Sequence, residues 1–208
     1  MKKLAFVTML AFSLSACVTA PVLTPSEQQA VFGKQQQATA AWFAAHPTWG
    51  MTGRIAVSAP TGSGSGRLEW TNRTDGYVAS VAAPITRQTW RLTQRNGYGA
   101  TVEGIPNGPL SGPNAEQLLF DVSGWRIPLD RLQQWLKGMT PTGGAIQLDP
   151  RTGLPASFRE GQWSVVYDEW TPANDTMPAM PKRITATIGT DTKVKLAIDA
   201  WEPVATTD

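Results

Sequence analysis

The side chains that most often carry covalent chemistry are scarce in this sequence. Among 208 residues there is one histidine, His46, and one cysteine, Cys17. A single cysteine forms no internal disulfide and ligates no metal in the paired CxxC manner. A single histidine excludes most multi-histidine metal sites. His46 precedes Pro47 at the end of a helical pattern, and no GxSxG elbow offers it a serine to activate. Asp149 and Asp168 lie beside turns, where aspartate is ordinarily a turn residue, and the other carboxylates are scattered on polar faces. Gly62, Gly64 and Gly66 are followed by a strand rather than a helix, so they lack the phosphate-binding context. The expectation is a non-enzymatic protein with no catalytic residues, no metal and no cofactor.

Cys17 has a different chemistry open to it. Met1 to Cys17 reads as a positive start (Lys2, Lys3), an apolar stretch (Leu4 to Leu14) and a small-residue end. That is a secretory signal, too short to span a bilayer as a stable helix. Leu14-Ser15-Ala16-Cys17 resembles the bacterial lipobox, whose cysteine becomes the first mature residue and carries a diacylglyceryl thioether. On this reading residues 1–16 are signal peptide, 17–23 a lipidated tether and 24–208 a single domain. Val18 stands where an aspartate would retain a lipoprotein in the inner membrane. A lipid anchor on the periplasmic face of the outer membrane is therefore expected. Three acyl chains, at about 0.8 kcal/mol per buried CH₂, would hold it firmly.

Composition narrows the partners. Charged residues are 16% of the chain, against roughly 25% in ordinary soluble domains. The net charge of +2 vanishes when Lys2 and Lys3 leave with the signal, because 16 basic and 16 acidic residues remain. Nucleic-acid binders ordinarily carry a basic patch or a high domain charge, so no nucleic-acid partner is expected. The mature chain is expected to be a monomer.

The elements that must position any site follow from the patterning. Thr24-Pro25-Ser26-Glu27 is a capping box with proline at the first helical position. The helix runs to Phe43 on a loose stripe of Ala30, Val31, Ala38, Ala41 and Trp42, is weakened by Gly33, and ends at His46-Pro47. From Trp49 the period is two. Strands are expected at Arg54–Val57, Arg67–Thr71, Tyr77–Ala82, Trp90–Gln94 and Tyr98–Glu103, with residues 61–66 as a flexible turn and Asn96-Gly97 as a hairpin dipeptide. Between Asn114 and Lys137, Leu118, Leu119 and Val122, and then Leu129, Leu132, Trp135 and Leu136, recur at helical spacing. Gly124 and Pro128 separate these two short helices, and Gly138 ends the second. Strands return at 145–148, 156–159, 163–167, 182–188 and 193–201. The total is nine or ten antiparallel strands, which describes a curled sheet or incomplete barrel, mainly β, with helices before and within it.

A curled sheet not filled by large side chains encloses a cavity. The inward positions are expected to be Ile55, Val57, Leu68, Trp70, Val78, Trp90, Leu92, Val165, Ile184, Val194, Leu196 and Ile198, none of them ionisable. The central helices, through Leu132 and Trp135, could lie across the opening as a lid. Periodicity alone is equally compatible with a solid core. One loop is unusual: Ala82-Ala83-Pro84-Ile85-Thr86-Arg87 joins two strands yet places Ile85 at its tip beside the stiff Pro84.

In order and spacing, these pieces resemble the outer-membrane lipoprotein receptor family LolB. The resemblance rests on the lipobox ending at Cys17, W-x₃-G-R-I-A-V from Trp49 to Val57, G-x-L-x-W from Gly66 to Trp70, and Ala83-Pro84-Ile85. It continues with Trp125-x-x-Pro128 leading to Leu132-x-x-Trp135-Leu136-x-Gly138, and Gly161-Gln162-Trp163-x-Val165-x-Tyr167. Met180-Pro181-x-Arg183-Ile184 and Val194-x-Leu196-x-Ile198-x-x-Trp201 close it. The resemblance implies an incomplete barrel with a helical lid over a hydrophobic cavity. It also implies that acyl chains of lipoprotein cargo are accepted from the periplasmic carrier LolA and released into outer-membrane lipid without nucleotide hydrolysis. Pro84 and Ile85 match a protruding loop, typically P-L-G, that contacts the membrane; here Ile85-Thr86 replaces Leu-Gly. Three other readings compete: a lipocalin-like lipoprotein binding a small hydrophobic ligand, a structural lipoprotein with a solid core, and a hydrolase, which the single histidine disfavours.

Overall fold

The computed structural model describes residues 22–83 and 89–203; Cys17, Pro84 and Ile85 lie outside the described residues. The first element, α1 (Pro25–Ala45), starts as its sequence dictates. The Thr24 hydroxyl accepts the Glu27 amide, and the Glu27 carboxylate accepts the Thr24 amide at 2.8 Å. Just before it, the Leu23 amide donates to the Pro150 carbonyl at 2.8 Å, tying the incoming chain to the sheet's far edge. The expected apolar stripe is not the buried face. Ala30, Ala38 and Ala41 are exposed, whereas Gln35, Thr39 and Trp42 are buried. The helix packs on loops with free carbonyls, so amides bind it there: Gln35 donates to the Ala179 carbonyl and Gln36 donates to the Gly138 carbonyl at 2.9 Å.

Eleven strands follow in one antiparallel sheet. They are β1 (Trp49–Ala59), β2 (Gly62–Arg73), β3 (Gly76–Ala82), β4 (Thr89–Arg95), β5 (Gly99–Glu103) and β6 (Leu110–Gly112). Two helices, α2 (Ala115–Ser123) and α3 (Leu129–Leu136), intervene. Then come β7 (Ile146–Leu148), β8 (Pro155–Glu160), β9 (Trp163–Thr171), β10 (Met180–Ile188) and β11 (Thr192–Pro203). The spatial order is β6-β5-β4-β3-β2-β1-β11-β10-β9-β8-β7. Two meanders therefore meet where β1 pairs β11, and the sheet stays open between β6 and β7. Both edges are three residues long, which limits strand addition from another chain.

This order determines where α2 and α3 lie. They connect β6 at one edge to β7 at the other, so the chain must cross the sheet between them. Their apolar sides (Leu118 and Leu119; Leu129, Leu132, Trp135 and Leu136) are buried against the sheet's inward face. Asn114 caps α2 by accepting the Gln117 amide at 2.8 Å, and Gly124 ends it in the left-handed region at φ 72°.

Two further expectations are corrected. Residues 61–66 are not a flexible turn: β2 begins at Gly62 and pairs with β1 from Ala59↔Gly62 onward, leaving a two-residue connection. A continuous ladder on a long partner strand outweighs glycine's poor strand preference. In β3 the inward residues are Tyr77, Ala79 and Val81, not Val78, because pairing Trp70↔Ala79 and Leu68↔Val81 sets the parity.

Candidate binding cavity

The inward face is uneven. Under β8 to β10 it is filled by rings: Phe158, Trp163 and Tyr167 are buried, and Trp135 from α3 lies on Trp163 with centroids 5.7 Å apart. The Trp135 indole donates to Glu160 at 2.7 Å, and the Tyr167 hydroxyl donates to the Trp135 carbonyl at 3.0 Å. Burial pushes that phenol's pKa well above its ordinary value of 10, with Glu160 adding to it, so it stays a neutral donor.

Under β1 to β4 the inward positions include Gly64, Ala79 and Ala83, and a void of about 110 Å³ remains there. Ile55 and Val57 of β1, Leu68 and Trp70 of β2, Val81 of β3, and Trp90 and Leu92 of β4 form its walls. Leu119, Trp125, Ile127, Leu129 and Leu132 roof it from α2, α3 and their connection. Among the described residues its lining contains no ionisable side chain. Trp70 stacks on Tyr77 at 4.6 Å and 20°. Desolvation, then the Asp130 and Glu116 carboxylates, hold Tyr77 protonated well above its ordinary range. The described lining is thus uncharged at any physiological pH.

The roof is hydrogen-bonded to the sheet at several points: the Ala115 amide donates to Gln94 at 2.8 Å, Gln133 donates to Asn72 at 2.8 Å, and the segment between the helices is held at the β1–β2 tip. Trp125 donates its indole N–H to the Gly62 carbonyl at 3.2 Å and packs its six-membered ring against Gly64. A Cβ on Gly64 would come within 2.6 Å of the ring, so only glycine admits this contact. The β1–β2 tip therefore acts as a catch for the lid.

Seven of the expected cavity residues meet at this void: Ile55, Val57, Leu68, Trp70, Trp90, Leu92 and Leu132. Trp135, Val165, Ile184, Leu196 and Ile198 do not line it; they are buried in the filled half of the core. Sequence reading passed over Gly64, Ser65, Ala79 and Ala83 because absent bulk carries no hydrophobic signal. Inward parity on β2 and β3 would have flagged all but Ser65, which pairs with Ala56 on the exposed face. His46 is remote from the cavity, stacked on Trp42 at 4.4 Å with its Nδ1 2.8 Å from the Trp42 carbonyl.

Residues 47–201, from the residues just before β1 to nearly the end of β11, match the family model described as outer membrane lipoprotein LolB. The chain belongs to the LolB family. A curated LolB-family relative from Xanthomonas campestris pv. campestris (strain 8004), named outer-membrane lipoprotein LolB, is 38% identical over 198 residues, covering 90% of each chain. One of the same name from Xylella fastidiosa (strain 9a5c) is 32% identical over 204 residues, covering 95% of this chain and 92% of the relative. A DUF1329 family protein from Desulfovibrio piger shares the fold, with a TM-score of 0.52 at 8% identity over 91% of this chain and 96% of that one. The span matched to the LolB model contains every wall and roof residue of the cavity, whereas α1 lies outside it.

Proposed function

We propose that this chain receives acylated lipoproteins from the carrier LolA, shelters their acyl chains in the cavity under α2 and α3, and passes them into the outer membrane. The carrying observation is a void whose described lining is predominantly apolar and uncharged, roofed by two short helices, in a chain whose LolB-family relatives are named outer-membrane lipoproteins. In this reading residues 1–16 are removed, Cys17 carries the lipid at the periplasmic face, and residues 24–208 act as one domain and one monomer. Pro84 and Ile85 make the membrane contact.

The void's size defines the mechanism. Ligand pockets usually measure about 300–1,000 Å³, so 110 Å³ holds no acyl chain while the roof is shut. Binding therefore proceeds by lifting α2 and α3 away from β1 to β4, with Trp125 leaving Gly62 and Gly64. No bond is made or broken. Each methylene withdrawn from water contributes about 0.8 kcal/mol, and a difference of about 1.4 kcal/mol between carrier and receptor shifts cargo tenfold. Release requires a bilayer that solvates the chains better than the cavity does.

Reconstitution tests this reading. Lipoprotein on purified LolA is mixed with this protein and then with vesicles, without nucleotide. Cargo is expected first to co-purify with this chain and then to float with the vesicles. Saturable binding of a small hydrophobic probe with no cargo movement would instead establish the lipocalin-like alternative.

A further inference from the structure

On the opposite, outward face of the sheet, two arginines stand directly across from each other: Arg54 of β1 pairs with Arg67 of β2. Like charges in that relation destabilise a sheet, so the placement carries a cost that the fold does not need. Arg183 lies in the same transverse row, beyond Ala197, and Lys195 in the next row between Ala56 and Thr185. Together these cations rim a shallow depression of about 930 Å³, whose floor is kept low by Ala56, Gly66, Ala82 and Ala197.

The neighbouring acids pair with only two of the four. Asp199 engages Arg54 at 3.3 Å, and Glu169 engages Arg183 at 3.3 Å and Lys182 at 2.6 Å. Asp168 accepts the Thr185 hydroxyl at 2.7 Å. Glu69, the next outward residue on β2, forms no ion pair, and neither do Arg67 or Lys195 among the described residues. Two cations without an ion-pair partner among the described residues thus face a dent with a small-residue floor.

We infer that this face docks on the anionic phospholipid headgroups of a bilayer. A phosphate can sit over the alanine floor between Arg67, Arg54 and Lys195, and its charge removes the repulsion that the Arg54–Arg67 pairing creates. The position favours a membrane over a soluble acidic partner. Arg67 pairs with Ala82, the last residue of β3, on the flank where the chain continues to Pro84 and Ile85. This inference rests on the reading above, in which those two residues contact lipid; the cationic face would add headgroup recognition to that contact.

The test uses residues 18–208, which retain every described element, and vesicles of phosphatidylethanolamine with either phosphatidylglycerol or phosphatidylcholine. The parent is expected to bind the phosphatidylglycerol vesicles more tightly, with the excess disappearing in high salt. In the double variant Arg54→Gln/Arg67→Gln that excess should fall roughly 25-fold, about fivefold per cation. Its melting temperature should hold or rise, since a repulsive pair is gone. Lys195→Gln should act in the same direction. An unchanged phosphatidylglycerol excess overturns the inference. So does loss of cargo uptake from LolA with vesicle binding intact, which would assign the face to the carrier. Ile85→Glu separates the two ideas: it should weaken delivery to both vesicle types while leaving the phosphatidylglycerol excess in place. Normal delivery by that variant would sink the loop reading alone.

Discussion

Two cavity-wall residues, Ile55 and Trp90, are only half-buried, so they report on the lining without putting the fold at stake. Ile55→Glu is expected to reduce acyl-chain uptake at least tenfold, because an unpaired carboxylate in an apolar cavity is strongly disfavoured, with a small change in melting temperature. Leu196→Glu is the contrast. Leu196 is buried outside the cavity wall, so this variant should lose stability and uptake together. Thermal melts beside uptake of an acylated cargo distinguish the two patterns. A pH effect belongs to Asp149. Burial is the largest single influence and raises its pKa, but together the amides of Thr152 and Arg151, the Thr152 hydroxyl and the Arg151 charge outweigh it and hold it below its ordinary value of 3.8. A depressed carboxylate contributes stability above its unfolded pKa and loses it as pH falls through the folded one. Asp149→Asn should therefore flatten the stability profile below about pH 4, as read by melts across that range. At this scale the sequence was legible where bulk speaks, as at Leu68 and Trp70. It misled at Val78, where an apolar residue sits on the outward face of a strand whose inward slots are Tyr77, Ala79 and Val81.

The two lid helices were readable because their caps and stripes agree: Asn114 and Gly124 bound one, and Leu129, Leu132, Trp135 and Leu136 make one side of the other. The β1–β2 tip was not, since a glycine-rich run reads as a turn until its partner strand is known. That same glycine content serves the lid, as Trp125 lies on Gly64 and binds the Gly62 carbonyl. Gly64→Val would push a side chain into the indole and hold the roof ajar. Uptake of a fluorescent fatty acid should accelerate several-fold, with a lower melting temperature. Trp125→Phe keeps most of the packing but loses a hydrogen bond worth about 1 kcal/mol, so it should give a milder acceleration. Equal uptake rates in parent and both variants would mean that the roof is not what limits access.

Across the whole molecule, the order of strands explains why the lid exists. A sheet whose meanders meet at β1 and β11 leaves β6 and β7 at opposite edges, and the segment joining them must cross the inward face. The alternating pattern announced a curled antiparallel sheet. It could not reveal which half is hollow, because that depends on how the lid brings Trp135 onto the half that holds Phe158, Trp163 and Tyr167 and leaves a void over the small residues Gly64, Ala79 and Ala83. The most direct measurement places a photoreactive group on the acyl chain of a lipoprotein cargo, loads it through LolA, and maps the adducts. Adducts should fall on β1 to β4 and on residues 119–132 of the lid, at Ile55, Trp90 and Leu119 among them. Adducts confined to β8 through β11, or none after cargo has moved to vesicles, would contradict the assignment of this cavity as the acyl-chain site.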